Sequence, residues 1–181
     1  KWHLGHTHKK WHPTRRGFTH FMGCFNGAID YFTHEREGEL DWHKNEETYR
    51  VEGYATDLIA DESVDFIDSV PVDEPYFLYV PFNAPHSPLQ AKEEDIAKYS
   101  HRSGGKQVYA AMVDCMDQGI GQILDAIDRR GDADNTLVLF FSDNGGVLKV
   151  ASNGPQRGGK TTPYQGGIRV VAAARWPRGD L

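Results

Sequence analysis

Asn135-Thr136-Leu137-Val138-Leu139-Phe140-Phe141-Ser142-Asp143-Asn144-Gly145-Gly146 is the stretch that decides the fold. Its apolar half runs without alternation, the pattern of a strand buried on both faces. Its polar half then ends the run with a carboxylate, an amide and two glycines. Upstream, Val108, Met112, Cys115, Gly119, Ile123 and Ile127 step by three or four residues, with Asp114, Asp117, Asp125 and Asp128 off that face. That spacing predicts a helix ending at Arg129-Arg130-Gly131, where cations and a glycine suit a C-terminus. The same order occurs earlier in the chain. From Thr56 to about Val70, Ile59, Ser63, Phe66 and Ala60, Val64, Ile67 keep helical spacing; Pro75-Tyr76-Phe77-Leu78-Tyr79-Val80-Pro81-Phe82 is a second buried-strand run; Asn83-Ala84-Pro85-His86-Ser87-Pro88 follows it. Helix, strand and polar loop, twice over, predict an α/β fold with a largely parallel central sheet flanked by helices. The apolar run Ile168-Arg169-Val170-Val171-Ala172-Ala173-Ala174 predicts one more strand, turning at Trp176-Pro177-Arg178-Gly179.

With 181 residues the chain is long enough for one buried core. Residues 1–50 are rich in His, Gly and aromatics without a sustained period and predict a loop-rich region, while 51–181 carry the α/β core pattern of the same domain. The first residues, Lys1-Trp2-His3-Leu4-Gly5, lack an initiator Met, and a strand pattern lies close to the other end, so the segment is expected to start and stop within a domain. Twenty Lys and Arg against 26 Asp and Glu give a net charge of −6, and no basic face stands out, which argues against a nucleic-acid partner. No apolar run approaches the ~20 residues of a membrane helix. Two cysteines, Cys24 and Cys115, fit neither a disulfide scaffold nor a zinc spacing.

Both predicted buried strands deliver polar motifs at their carboxyl ends, the place where open α/β sheets bind ligands. Asp143 and Asn144 offer adjacent hard oxygen donors of the kind Ca²⁺ or Mg²⁺ takes, and equally the composition of a plain turn. His86, between prolines, suits a general acid or an anion contact, or a solvent-facing loop. Arg157-Gly158-Gly159-Lys160 spaces cations with glycines, as an oxyanion cradle would, although the phosphate-loop spacing is missing. Lys1 and His3 fall on one side of an extended segment. His6, His8 and His12 have no supporting carboxylate or cysteine spacing for a metal, so they read as scattered loop histidines. Tyr31, Phe32, Trp42 and Tyr49 suit an aromatic subsite, or better the local core of an irregular region.

Taken in order, Lys1-Trp2-His3-Leu4-Gly5, Pro13-Thr14-Arg15-Arg16-Gly17-Phe18, Asn83-Ala84-Pro85-His86-Ser87-Pro88, Ser142-Asp143-Asn144-Gly145-Gly146 and Asn153-Gly154-Pro155-Gln156-Arg157-Gly158-Gly159-Lys160 resemble the sulfatase family, most closely arylsulfatases of the N-acetylgalactosamine-4-sulfatase type. The resemblance implies an alkaline-phosphatase-like fold and hydrolysis of sulfate esters of carbohydrates or aryl sulfates. It also implies one bound Ca²⁺, with Mg²⁺ second, and a formylglycine nucleophile made from Cys or Ser. By motif, Lys1 and His3 would contact the sulfate and the formylglycine, His86 and Lys160 would bind the sulfate and assist the leaving oxygen, and Asp143 and Asn144 would ligate the metal. The family's Cys/Ser-x-Pro/Ala-x-Arg motif is matched by neither Cys24-Phe25-Asn26-Gly27-Ala28 nor Cys115-Met116-Asp117-Gln118-Gly119. The nucleophile is therefore expected upstream of Lys1, and residues 1–181 alone are expected to be inactive. Gln165-Gly166-Gly167 stands where the family commonly has Glu-Gly-Gly. By resemblance the protein is secreted, periplasmic or lysosomal; oligomeric state is not legible. Two alternatives stay open: a phosphomonoester or phosphonate hydrolase of the same superfamily, and a homologue that binds sulfated glycans without cleaving them.

Overall fold

The computed structural model describes residues 1–179, so the last two residues of the expected 51–181 segment lie outside the described residues. In chain order the elements are β1 (Met22–Gly23), β2 (Glu35–Arg36), β3 (Glu39–Leu40), β4 (His43–Lys44), β5 (Glu47–Thr48), α1 (Ala55–Ser69), α2 (Glu93–Lys98), α3 (Gly105–Arg130), β6 (Val138–Phe141), α4 (Gln165–Ile168) and β7 (Ala172–Arg175).

Residues 1–50 are loop-rich, as their composition predicts, and tight turns give them shape. Glu37 and Gly38 both take positive φ, 56° and 84°, and close the β2–β3 hairpin, because two left-handed residues match the twist of paired strands. Asn45 turns the β4–β5 hairpin at φ 54°, and its main-chain N and side-chain Oδ1 both bond to Phe21 next to β1.

The two long helices form where the periodicity puts them. Helix α1 buries Ile59, Ala60, Ser63 and Ile67, and α3 buries Ala111, Met112, Cys115, Gly119, Ala126 and Ile127. A Cβ on Gly119 would lie 3.0 Å from the Ala60 Cβ, so these small residues let the backbones approach closely. Gly131 ends α3 in the left-handed region at φ 84°, its N–H returning to the carbonyls of Asp128 and Ile127. Around α1 and α3 the core is completed by Cys24, Ile29, Tyr31 and Trp42 from the loop-rich region and by Tyr54 just before α1. Tyr31 and Trp42 are thus local core; Phe32 and Tyr49 are exposed.

Two expectations differ from what the structure holds. Residues 75–82 pair with no strand among the described residues, and Phe77 and Tyr79 are exposed. The sheet that does form joins β6 to β7 in antiparallel register, Val138 opposite Arg175 and Phe141 opposite Ala172. No parallel ladder occurs among the described residues. Unalternated apolar residues imply cover on two faces, yet a ladder also needs a strand alongside to supply hydrogen bonds, and residues 75–82 have none here. The terminal strand is also shorter than its apolar run, because Ile168 closes α4.

Candidate functional site

The segment Lys1-Trp2-His3 lies on the loop after β1. Trp2 N donates to the Cys24 carbonyl (2.8 Å), His3 N to that of Phe25 (2.9 Å), and the Lys1 main-chain nitrogen to Pro81 (2.9 Å). Asp41 fixes that loop: one carboxylate oxygen accepts from Phe25 N (2.9 Å), the other from Asn26 N (2.8 Å) and Asn26 Nδ2 (2.9 Å). Burial opposes the Asp41 charge, but bonds from His43, Phe25 and Asn26 outweigh it and hold the carboxyl below its usual range. Desolvation first, and then the positive charges of Lys1 and Arg36, push the His3 imidazole below its ordinary value. His3 therefore has two fixed cations, Lys1 and Arg36, among the causes of its shift and no acid. Arg36 bonds the Ala28 carbonyl at 3.5 Å, next to Gly27, which underlies the His3 ring.

His86 is held by a tyrosine pair. The Tyr31 hydroxyl donates to the His86 carbonyl (2.9 Å), and the Tyr54 hydroxyl donates to the Gln90 carbonyl (2.8 Å). Gln90 in turn accepts from Tyr31 N (2.9 Å) and donates to Asp30 (2.5 Å). Burial pushes both phenols up, so they stay protonated donors. The His86 Nδ1 meets the Ser87 carbonyl at 2.8 Å; a carbonyl only accepts, so Nδ1 carries the proton and Nε2 is left for another partner. Asn83, 1 % exposed, has no partner for either side-chain amide atom among the described residues.

A second group forms after β6. Asn153 staples it: its Oδ1 accepts from Gly146 N (2.8 Å), and its Nδ2 donates to the carbonyls of Gly146 (3.0 Å) and Gly158 (3.1 Å). Lys160 N also donates to the Gly146 carbonyl (3.2 Å), so Lys160 is carried beside the Asp143-Asn144 turn. Gly145 N reaches the Gly167 carbonyl at 3.0 Å, and a Cβ on Gly145 would overlap the Gly166 carbonyl. The glycine pair of α4 is thus a packing requirement of this turn. Arg157 turns away, its guanidinium 3.8 Å from the centre of the Tyr164 ring. Asp143 is exposed, and neither its carboxylate nor the Lys160 ammonium has an ion-pair partner among the described residues.

No hydrogen bond or ion pair among the described residues links the two groups. Their loops meet at the first turn of α3, where a Cβ on Gly105 would lie 3.2 Å from Leu89 and 3.1 Å from Val150. Asp143 and Asn144 suit a hard cation in kind, a carboxylate and an amide whose Nδ2 is spent on the Gly145 carbonyl (3.1 Å), leaving Oδ1 free. In number they fall short of six to eight oxygens, and among the described residues no three His, Cys, Asp or Glu side chains are grouped to hold a metal. Cys24 and Cys115 are free, buried thiols. Burial, and then the Asp57 carboxylate at 3.1 Å, push Cys115 up to about 12, so it is no nucleophile.

The sequence pointed to Lys1, His3, His86, Asp143, Asn144 and Lys160 but missed Asp41, Gly27, Arg36, Tyr31 in its supporting role, and Asn153. Each makes a contact with the main chain that depends on loop geometry, for which residue spacing carries no signal; Asn153 lies within one of the motifs, which gives it no such role.

A family model described as Sulfatase matches residues 1–180. The chain belongs to the sulfatase family. Among relatives, it is 35 % identical to arylsulfatase J of Mus musculus over 98 % of this chain and 31 % of that protein. To the N-acetylgalactosamine-6-sulfatase of Homo sapiens it is 32 % identical over 98 % of this chain and 36 % of that protein. The crystal structure of Ps i-CgsB in complex with k-i-k-neocarrahexaose superposes with a TM-score of 0.90 at 34 % identity, covering 98 % of this chain and 43 % of that one. The alkaline-phosphatase-like α/β fold of sulfatases is therefore the fold of this chain. It spans about a third of the length of these two curated relatives.

Proposed function

We propose that the protein hydrolyses sulfate esters of carbohydrates or aryl sulfates. The observation that carries this reading is the placement of His3 over Gly27, with Lys1 two residues before it and the Arg36 guanidinium on the adjacent Ala28 carbonyl at 3.5 Å, two cations at one loop of a chain whose net charge is −6. A sulfate ester is an anion that gains charge on its leaving oxygen as the bond breaks, so fixed cations stabilise the transition state more than the bound ester.

In this reading Lys1, His86 and Lys160 bind the sulfate, and Lys160 also offsets charge on the ester oxygen. His3, kept neutral, is free to accept or return a proton at its ring, and Tyr31 and Asp41 position the segments bearing His86 and His3. Asp143 and Asn144 would hold Ca²⁺, with remaining oxygens from elsewhere in the longer protein, and the cation would supply positive charge beside the sulfate. Neither described thiol suits the nucleophile, which the reading assigns to a formylglycine outside these residues. A largely parallel central sheet, completed by strands beside β6 and residues 75–82, belongs to the same proposal.

The test is to assay the full-length protein on an aryl sulfate and the matching aryl phosphate, together with His86→Ala. Hydrolysis of the sulfate ester, lowered about 100-fold or more in the variant, is expected. Faster turnover of the phosphate would assign a phosphomonoesterase, and tight sulfate binding without turnover a non-catalytic binder.

A further inference from the structure

The loop-rich region contains a cavity that the proposed reaction does not use. It is lined by Gly5, His6, His8, Lys9, His12, Phe25, His43, Glu46 and Thr48, and its volume is about 150 Å³. At roughly 30 Å³ per water it holds about five, and it falls below the ~300 Å³ of sites that enclose a drug-sized molecule. A single small polar group fits it.

The lining says which sign of charge. Four imidazoles and the Lys9 ammonium face one carboxylate, Glu46, and that carboxylate is already bonded to Arg15 Nε (2.8 Å) and Thr14 Oγ1 (3.2 Å). The Arg15 guanidinium holds it below the usual carboxylate range. Asp41 is spent on Phe25, Asn26 and the Nε2 of His43 (3.2 Å), so His43 brings its own carboxylate and the rings left for a ligand are those of His6, His8 and His12. Lys9 has no ion-pair partner among the described residues.

His12 supplies a second, independent observation. Only 8 % exposed, it accepts at Nδ1 from Thr14 N (3.2 Å), so its proton lies on Nε2, and that buried donor has no partner. The rings of Phe21 and Phe25 meet it edge to face, with centroids 5.5 and 4.9 Å away, and neither supplies an oxygen. His8 is oriented alike: its Nδ1 accepts from Lys10 N (3.2 Å), which leaves the Nε2 proton to donate. A buried donor without an acceptor is costly, and an anion would relieve that cost. A metal ion is disfavoured, since both rings spend the lone pair of one nitrogen and protonate the other.

We infer that this cavity is a second oxyanion subsite, taking one sulfate group of a substrate that carries another sulfate at the Lys1–His3–His86 cluster. The two places share the segment Lys1–Lys9 and the loop at Phe25: His3 N donates to the Phe25 carbonyl (2.9 Å) at one, while His6, Lys9 and Phe25 line the other. The substrate class is therefore a polysulfated glycan. This step rests on the proposed sulfatase reading, and the test separates the two.

Histidine side-chain ¹H–¹⁵N spectra of the full-length protein are followed while inorganic sulfate is added, for the native chain and for Lys9→Ala, an exposed position where folding is not at stake. His8 and His12 signals should move with sulfate, and Lys9→Ala should abolish that movement while His3 and His86 still respond. KM for a disulfated oligosaccharide should then rise roughly tenfold in Lys9→Ala, the size of one charge-assisted contact, with KM for a singly sulfated aryl ester unchanged. Unmoved His8 and His12 signals overturn the subsite, as does a sulfate response with equal KM in both proteins, which assigns a free ion alone. If no sulfate ester is hydrolysed yet the Lys9-dependent response of His12 persists, the oxyanion site stands and the sulfatase reading fails.

Discussion

The imidazole of His3 rests against the Cα of Gly27, so closely that a Cβ there would stand 2.6 Å from the ring Cε1 and 2.7 Å from Nε2. Real side chains do not tolerate such distances, so a methyl group at this position must push the ring aside. The ring is exposed and can swing away cheaply, so stability should hardly change. Gly27→Ala is thus expected to keep its urea midpoint and lose about 10- to 100-fold in turnover, because a displaced catalytic group costs that much. Native turnover in the variant would remove His3 from the reaction.

How much of this was legible beforehand differs by element. Helices α1 and α3 follow from apolar spacing because each buries one continuous stripe, and Gly131 marked the end of α3. The candidate site residues were legible only as an ordered set of motifs, since Lys1, His86, Asp143 and Lys160 each lie in a short distinctive string that the family model covers, and their roles belong to the proposal. The sheet was not. Phe77, Leu139 and Phe141 have the composition of doubly buried strands but are exposed among the described residues, and composition says nothing about which neighbour supplies the ladder. The cavity beside His12 was missed for a related reason: His43 and Glu46 reach it from a hairpin some 30 residues downstream of His12.

Desolvation, and then the charges of Lys1 and Arg36, hold the His3 imidazole below its ordinary value of 6.5. Removing one like charge relieves the cost of protonation, so Arg36→Gln should move the His3 titration midpoint upward in an NMR pH series. The sign for stability follows from linkage: a lowered histidine contributes stability that is present above 6.5 and lost as pH falls from there through the folded value. The variant should therefore lose less stability on acidification than the native chain. A midpoint that stays put would show that desolvation alone sets it.

Asp41 should matter through the loop it holds. Asp41→Asn puts an amide donor against the donors of Asn26, and about 1–3 kcal/mol of stability is expected to disappear in urea unfolding. Because the native carboxyl lies below its usual range, its contribution is complete above about pH 4 and fades as pH falls through the depressed value. The native-minus-variant difference should shrink in that window; a constant difference down to low pH would mean that the charge is irrelevant.

Lys160 offers the sharpest separation of binding from chemistry. Its main-chain nitrogen, not its side chain, ties it to Gly146 at 3.2 Å, and Asn153 brackets the same loop through Gly146 and Gly158. Lys160→Ala therefore leaves the scaffold intact and removes only the ammonium group. Charge near the ester oxygen is needed most when that oxygen becomes negative, so turnover should fall on the order of 100- to 1,000-fold while KM changes little. Asn153→Ala makes the complementary change, keeping the ammonium but loosening the loop, and should lower both stability, by about 1–3 kcal/mol, and turnover. Steady-state kinetics on an aryl sulfate with both variants gives the answer. A raised KM with native turnover in Lys160→Ala would assign Lys160 to ground-state binding of the sulfate, whatever the behaviour of Asn153→Ala.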